Sequence, residues 1–319
     1  MSSMSRRRFM NGGLKVLGTA YAAGALAPLD ALAASGAAGA ASAAITSTPL
    51  TSKDMGGLTL LQGAGCNVVV VPGPDGALMI DGGLAAHSKA LLDAMAGATG
   101  TRRVATLINT HWHPEQTGSN DAVGQGGAVI IAHEVTRLYE GRKAWSTCFD
   151  GTYGPLPVKA RATKTTRTSG SLQFAGQHID YDYLPAAHTD GDLYVHFPEL
   201  NLLVAGGPVE GNRWPVLDIH NGGWLGGLVR AYEKLATVVK PDTKIVPASG
   251  KLLTGADIVR YRDIYQKLFK QMFVYFNGGY GPSDAVAAHP LKEYEGELGD
   301  PSDFIYYAYR SLLTAYVPD

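Results

Sequence analysis

Apolar residues fall in short β-like runs along most of the chain and at helical spacing near its end. Leu58 to Leu61, Asn67 to Val71 and Ala77 to Ile80 predict three short strands, the last two joined by the hairpin signal Pro72-Gly73-Pro74-Asp75-Gly76. A helix over Ala86 to Ala96 would bury Leu91, Leu92 and Met95. A strand at Val104 to Ile108, a short helix near Ser119 to Val123, a strand at Ala128 to Ile131 and a helix from Glu134 follow. Trp145 to Gly170 is rich in Gly, Pro, Thr, Lys and Arg without a clear period and reads as one long loop, a length that in a compact domain usually carries function.

Strands resume at Ser171 to Phe174, His178 to Leu184, Leu193 to Phe197 and Asn201 to Ala205. A helix over Trp224 to Val239 and a strand at Lys244 to Val246 complete this part. Beyond it, Ile258, Tyr261, Tyr265, Leu268, Met272 and Tyr275 recur at helical spacing, and Pro301-Ser302-Asp303 predicts the start of a last helix. The order ββαβαβ then βββαβα excludes a simple doubly wound sheet.

Ahead of the first strand the pattern is of another kind. Ser5-Arg6-Arg7-Arg8-Phe9-Met10 precedes an Ala-rich apolar stretch ending in Ala31-Leu32-Ala33, which resembles a twin-arginine export signal with a small-x-small cleavage site over residues 1–33. Gly24, Pro28 and Asp30 interrupt that stretch, so it falls short of the roughly 20 apolar residues of a spanning helix. The expected destination is the periplasm or outside the cell, by way of the twin-arginine export machinery, with no stable membrane span in the mature chain. Residues 34–55 read as a flexible Ala/Gly/Ser-rich tether, with folded structure beginning near Gly56.

The chain of 319 residues carries 27 Lys and Arg against 28 Asp and Glu, a balance that gives no ionic grip on nucleic acid. Cys66 and Cys148 lie far apart and read as buried free thiols, since a chain of this size needs no staple.

The chemistry concentrates on three histidines. His111 and His113 stand one residue apart at the end of an apolar run, and His188 follows in Ala187-His188-Thr189-Asp190-Gly191-Asp192. Brought together, three imidazoles would supply three nitrogen ligands and leave a fourth tetrahedral position open, the arrangement of a catalytic zinc. His87, His133, His178, His196 and His220 have no comparable context. Of the tryptophans Trp112, Trp145, Trp214 and Trp224, packing is the expected role, and Trp214 is the best candidate to wall a pocket.

The run Thr110-His111-Trp112-His113-Pro114-Glu115-Gln116-Thr117-Gly118 resembles the histidine motif of the metallo-β-lactamase superfamily, H-x-H-x-D-H followed by Gly. Ile80-Asp81-Gly82-Gly83 upstream and the segment around His188 are similar to that family's aspartate-glycine and third-ligand segments. The resemblance implies a four-layered αββα sandwich over 56–255 with a C-terminal helical extension over 256–319. It implies His111, His113 and His188 as ligands of one zinc, with Asp81 accepting a hydrogen bond that orients a ligand imidazole and Asp192 holding the loop around His188.

The chain departs from the family at the second metal site, where Glu115, Gln116, Gly207 and Ser249 stand in place of its ligands. Two readings follow. One is an exported, mononuclear zinc hydrolase with Glu115 as general base, acting on an ester, lactone, amide or phosphoester bond of a small molecule. The other is a catalytically weak or inactive periplasmic binding or accessory protein that keeps the fold. The substrate lies in loop chemistry that the motif does not specify.

Overall fold

The computed structural model describes residues 49–315, so the export signal expected over 1–33 and most of the expected tether lie outside the described residues. The first part of the chain runs β1 (Thr51–Asp54), β2 (Thr59–Gln62), β3 (Val68–Val71), β4 (Ala77–Ile80), α1 (Ser88–Thr99), β5 (Val104–Ile108), α2 (Pro114–Thr117), α3 (Asn120–Gln125), β6 (Val129–His133) and α4 (Glu134–Glu140). Next come β7 (Ala144–Ser146), β8 (Gly151–Tyr153), β9 (Lys164–Thr166), β10 (Gly170–Phe174), β11 (Gln177–Leu184), β12 (Asp192–Phe197) and β13 (Leu202–Gly206). The chain then continues through α5 (Leu225–Val238), β14 (Lys244–Pro247), β15 (Leu253–Thr254), α6 (Gly255–Asn277), α7 (Pro282–Ala287), α8 (Glu295–Leu298) and α9 (Ser302–Ala315).

Two sheets result, one in the order β1-β2-β3-β4-β5-β6-β9 and one in the order β10-β11-β12-β13-β14-β15. The alternation of side chains along their strands explains the layers. Val69, Val71, Leu78, Ile80, Ile108 and Ile131 of the first sheet meet Ile179, Leu193, Val195, Phe197, Leu202 and Val204 of the second in a core between the sheets. Their neighbours Val68, Val70, Met79 and Ile130 face the other way, onto Leu91 and Met95 of α1 and Val123 of α3. On the far side of the second sheet, Tyr194, Leu203, Ala205 and Ile245 pack against α5, α6 and α9. The fold is a four-layered αββα sandwich. The C-terminal helices belong to its fourth layer and share one core with α5.

Three expectations need correction. Folded structure begins before Gly56, because β1 pairs antiparallel with β2 even though its four side chains are exposed. The segment from Trp145 to Gly170 is not one loop: β7 and β8 form a separate hairpin, and β9 adds to the edge of the first sheet beside β6. β9 is short and polar, held by backbone pairing rather than by an apolar face. Trp214 is also no pocket wall. It is buried in the core, stacked on Phe304 at 5.4 Å, with its indole N–H donated to Gly299 O.

Candidate metal centre

The three histidines come from the ends of strands in both sheets. His111 and His113 follow β5, and His188 lies in the turn between β11 and β12. Pro114 fixes the first helical position of α2 and disfavours helical backbone at the residue before it, so His113 is extended (φ −64°, ψ 157°) and its ring leaves the helix rather than joining it. Trp112, between the two histidines, turns instead into a small cluster with Tyr139 and Ala144.

The three rings stand nearly perpendicular to one another, with centroids 4.8 Å (His111 to His113), 4.6 Å (His111 to His188) and 4.7 Å (His113 to His188) apart. All three residues are buried, and each offers one ligand atom within 4.8 Å of the others. Burial, then the neighbouring imidazoles, pushes His111 well below its ordinary range and His188 down to about 3. Neutral imidazole is the form that binds metal.

Each ring has one nitrogen fixed by an oxygen. His188 Nδ1 lies 2.6 Å from Val216 O, so it carries the proton and leaves Nε2 as a lone pair. His113 Nε2 lies 2.9 Å from Asp218 Oδ2 and donates to it, leaving Nδ1 bare. Thr110 Oγ1 donates to Asp81 Oδ2 at 2.9 Å and therefore accepts from His111 Nδ1 at 3.1 Å, leaving His111 Nε2 bare. The consequence is visible between two of the rings. His188 Nε2 and His113 Nδ1 face each other at 3.0 Å, and with both protons assigned outward two lone pairs meet there. Such a contact is relieved by a proton or by a metal ion lying against it. The donor set fits one metal ion of zinc type.

The supporting shell is partly as the sequence predicts. Asp192 accepts from the backbone N–H groups of His188 (2.7 Å) and Thr189 (2.9 Å) and from Thr189 Oγ1 (2.7 Å), holding the turn that carries the third ligand. Asp81 does not bond an imidazole directly. It accepts from Thr110 N and Thr110 Oγ1, so its influence on His111 passes through a threonine hydroxyl. It sits just past β4 at φ 63°, a left-handed backbone that aspartate tolerates better than most residues. Burial pushes both Asp81 and Asp192 up to about 7.

Asp218 was not singled out by the sequence. It accepts from His113 Nε2, Ser146 Oγ (2.7 Å) and Asn221 Nδ2 (2.8 Å). Burial raises Asp218, but the hydrogen bonds it accepts from His113, Ser146 and Asn221 outweigh it and leave this carboxylate below its usual range. Cys148 also approaches, with Sγ within 4.8 Å of ligand atoms of His113 and Asp218. The His113 nitrogen on that side is already engaged with Asp218, so this trio supports the ring rather than forming a separate centre. Both cysteines are free. His133 has a local duty of its own, accepting from Val135 N at the start of α4 and stacking on Tyr183.

A second ion does not fit the residues present. A Cβ on Gly207 would lie 2.3 Å from His188 Cδ2 and 3.0 Å from His111 Cε1, so no side chain can stand there without displacing a ring. Ser249 Oγ is bound to Glu210 Oε2 at 2.5 Å, and Gln116 is a buried neutral amide.

A family profile described as the metallo-beta-lactamase superfamily matches residues 61–249, which hold every element of this centre. The chain belongs to the metallo-beta-lactamase superfamily. The solved metallo-beta-lactamase from Pontibacter korlensis superposes with a TM-score of 0.53 at 18% identity, over 68% of this chain and 93% of that one. The metallo-beta-lactamase from Hirschia baltica gives 0.53 at 19% identity, over 68% and 98%. DIM-1 metallo-beta-lactamase gives 0.55 at 16% identity, over 68% and 97%. At these identities the likeness is one of fold. No curated protein matches the chain. The superfamily is one of metal-dependent hydrolases, and the chain shares its fold and a histidine cluster able to hold a metal. Among the described residues no helix is long and apolar enough to cross a membrane.

Proposed function

We propose that this chain is an exported hydrolase that takes one zinc ion on His111, His113 and His188 and uses Glu115 as general base on a small-molecule substrate. The observation that carries the reading is that each of the three imidazoles has one nitrogen at hydrogen-bond distance from an oxygen, while the three rings converge with a ligand atom of each within 4.8 Å of the others. Zinc held there would supply Lewis acidity and a water acidified toward neutral pH. Glu115, half-buried on α2 two residues after His113, takes the proton of the attacking water at its carboxylate as the water adds to a carbonyl or phosphoryl centre. Asp218, Thr110 and the Val216 carbonyl keep the three rings oriented so that no reorganisation accompanies the reaction. An ester, lactone, amide or phosphoester fits this chemistry. Export by the twin-arginine route to the periplasm, or beyond it, is proposed from the run around Arg6, Arg7 and Arg8, which lies outside the described residues.

A second reading, a binding or accessory protein on the same fold, draws on Gln116, Gly207 and Ser249, where the superfamily's second-site ligands are missing. Glu115→Gln separates the two. The first reading expects metal content unchanged by mass spectrometry and turnover lost across a panel of esters, lactones, thioesters, β-lactams and phosphodiesters. Absence of turnover by metal-replete wild type on the whole panel would favour the second. Absence of metal from wild type after incubation with zinc, alongside a His111→Ala/His113→Ala control, would remove the metal from the first.

A further inference from the structure

The loop after β13 and the loop after β14 are laced together by their backbones. Ala248 N donates to Val209 O at 2.8 Å and Gly211 N donates to Ser249 O at 2.9 Å. The first of these loops starts at Gly207, in contact with the rings of His188 and His111. From the laced pair project three polar side chains. Glu210, only 7% exposed, accepts from Ser249 Oγ at 2.5 Å and from Arg213 Nη2 at 2.8 Å. The Arg213 side chain is half exposed. The Glu210 carboxylate raises the guanidinium above its ordinary range. Gln116 Oε1 is buried nearby in sequence to Glu115 and has no hydrogen-bond partner.

A carboxylate buried this far is costly without a counter-charge. Without the guanidinium, the buried Glu210 carboxylate and the Ser249 hydroxyl bonded to it would be hard oxygen donors on the pair of loops that begins at Gly207, against the rings of His188 and His111. That description is of a cation site. In this chain the cation is part of the polypeptide. We propose that the Arg213 guanidinium, seated on Glu210, is the resident second cation of the centre, and that it holds the protein to one exchangeable metal ion. On this view the residues at Gln116, Gly207 and Ser249 belong to a rebuilt site, with the Ser249 hydroxyl serving Glu210 rather than a metal.

The inference builds on the one-ion reading but is tested by a difference. Native mass spectrometry of the purified chain during zinc titration compares wild type with Arg213→Lys, which keeps the charge, and with Arg213→Met and Arg213→Gln, which keep a long side chain without it. The expected result is an equal count for wild type and Arg213→Lys, and one further ion per chain in the two neutral variants at zinc concentrations where wild type gains none. Two neutral variants are used so that a folding failure in one, seen by circular dichroism, leaves the other. Equal counts in neutral variants and wild type would overturn the proposal, and so would a second ion in wild type. The wild-type count alone reports on the three histidines, so failure of the one-ion reading shows separately.

Discussion

At the scale of single residues, the centre depends on carboxylates that never touch a metal. Asp218 gathers three donors on one oxygen, and one of them sets the tautomer of His113. Asp218→Asn keeps an acceptor oxygen but removes the charge, and zinc affinity is expected to fall roughly 10- to 100-fold by chelator competition with the fold intact. Unchanged affinity would mean that ring packing against Phe149, at 5.6 Å, orients His113 instead. Glu140 tests burial away from the histidines. It is 1% exposed and accepts from Ala162 N at 2.7 Å, and burial pushes it from 4.5 up to about 7. The folded chain therefore holds this proton more tightly than the unfolded chain between those two values. Its contribution is largest at low pH and is lost as pH rises toward 7. Relative to wild type, Glu140→Gln should gain stability between pH 5 and 7 at roughly 1 kcal/mol per pH unit, and then level off. Denaturant midpoints across that range that run parallel for the two proteins would refute this.

At the scale of elements, the β7–β8 hairpin is joined to neither sheet, and a two-stranded hairpin alone is marginal in water. Its order comes from the centre it covers. Ser146 binds Asp218, Thr147 Oγ1 reaches Leu217 O, Phe149 packs on His113, and Tyr153 Oη meets Thr117 Oγ1 at 3.0 Å. Chelating the metal should speed amide hydrogen exchange over 144–153 far more than over β3, β4 and β5, and equal effects on both would show the hairpin to be independent of the centre. The same hairpin marks where the sequence stopped being legible. β3, β4 and β13 announce themselves because both faces are covered and their residues are nearly all apolar. β1 and β9 are polar edge strands recruited by a neighbour's backbone, so no apolar period marks them. The histidines were legible through spacing and motif. Asp218 was not, because its importance arises only from contact with a ring 105 residues away in sequence.

At the scale of the molecule, the position of the histidines decides what metal binding does to stability. His111 and His113 end a strand of the first sheet, and His188 precedes β12 of the second. An ion on all three would tie together the two sheets whose facing side chains make the central core. The unfolded chain has no such arrangement, so binding free energy adds to folding free energy. At free zinc 100-fold above Kd the gain is about 2.7 kcal/mol. For a chain of this size that corresponds to a rise in Tm of about 5 °C. Because the three interlayer cores share their sheets, the rise should appear equally in far-ultraviolet circular dichroism and in tryptophan fluorescence. The latter includes Trp112 beside the centre and Trp214 against α9. His111→Ala/His113→Ala should show no zinc-dependent shift. A shift confined to one probe would mean that the ion stabilises only the loops around it and that the fourth helical layer melts on its own.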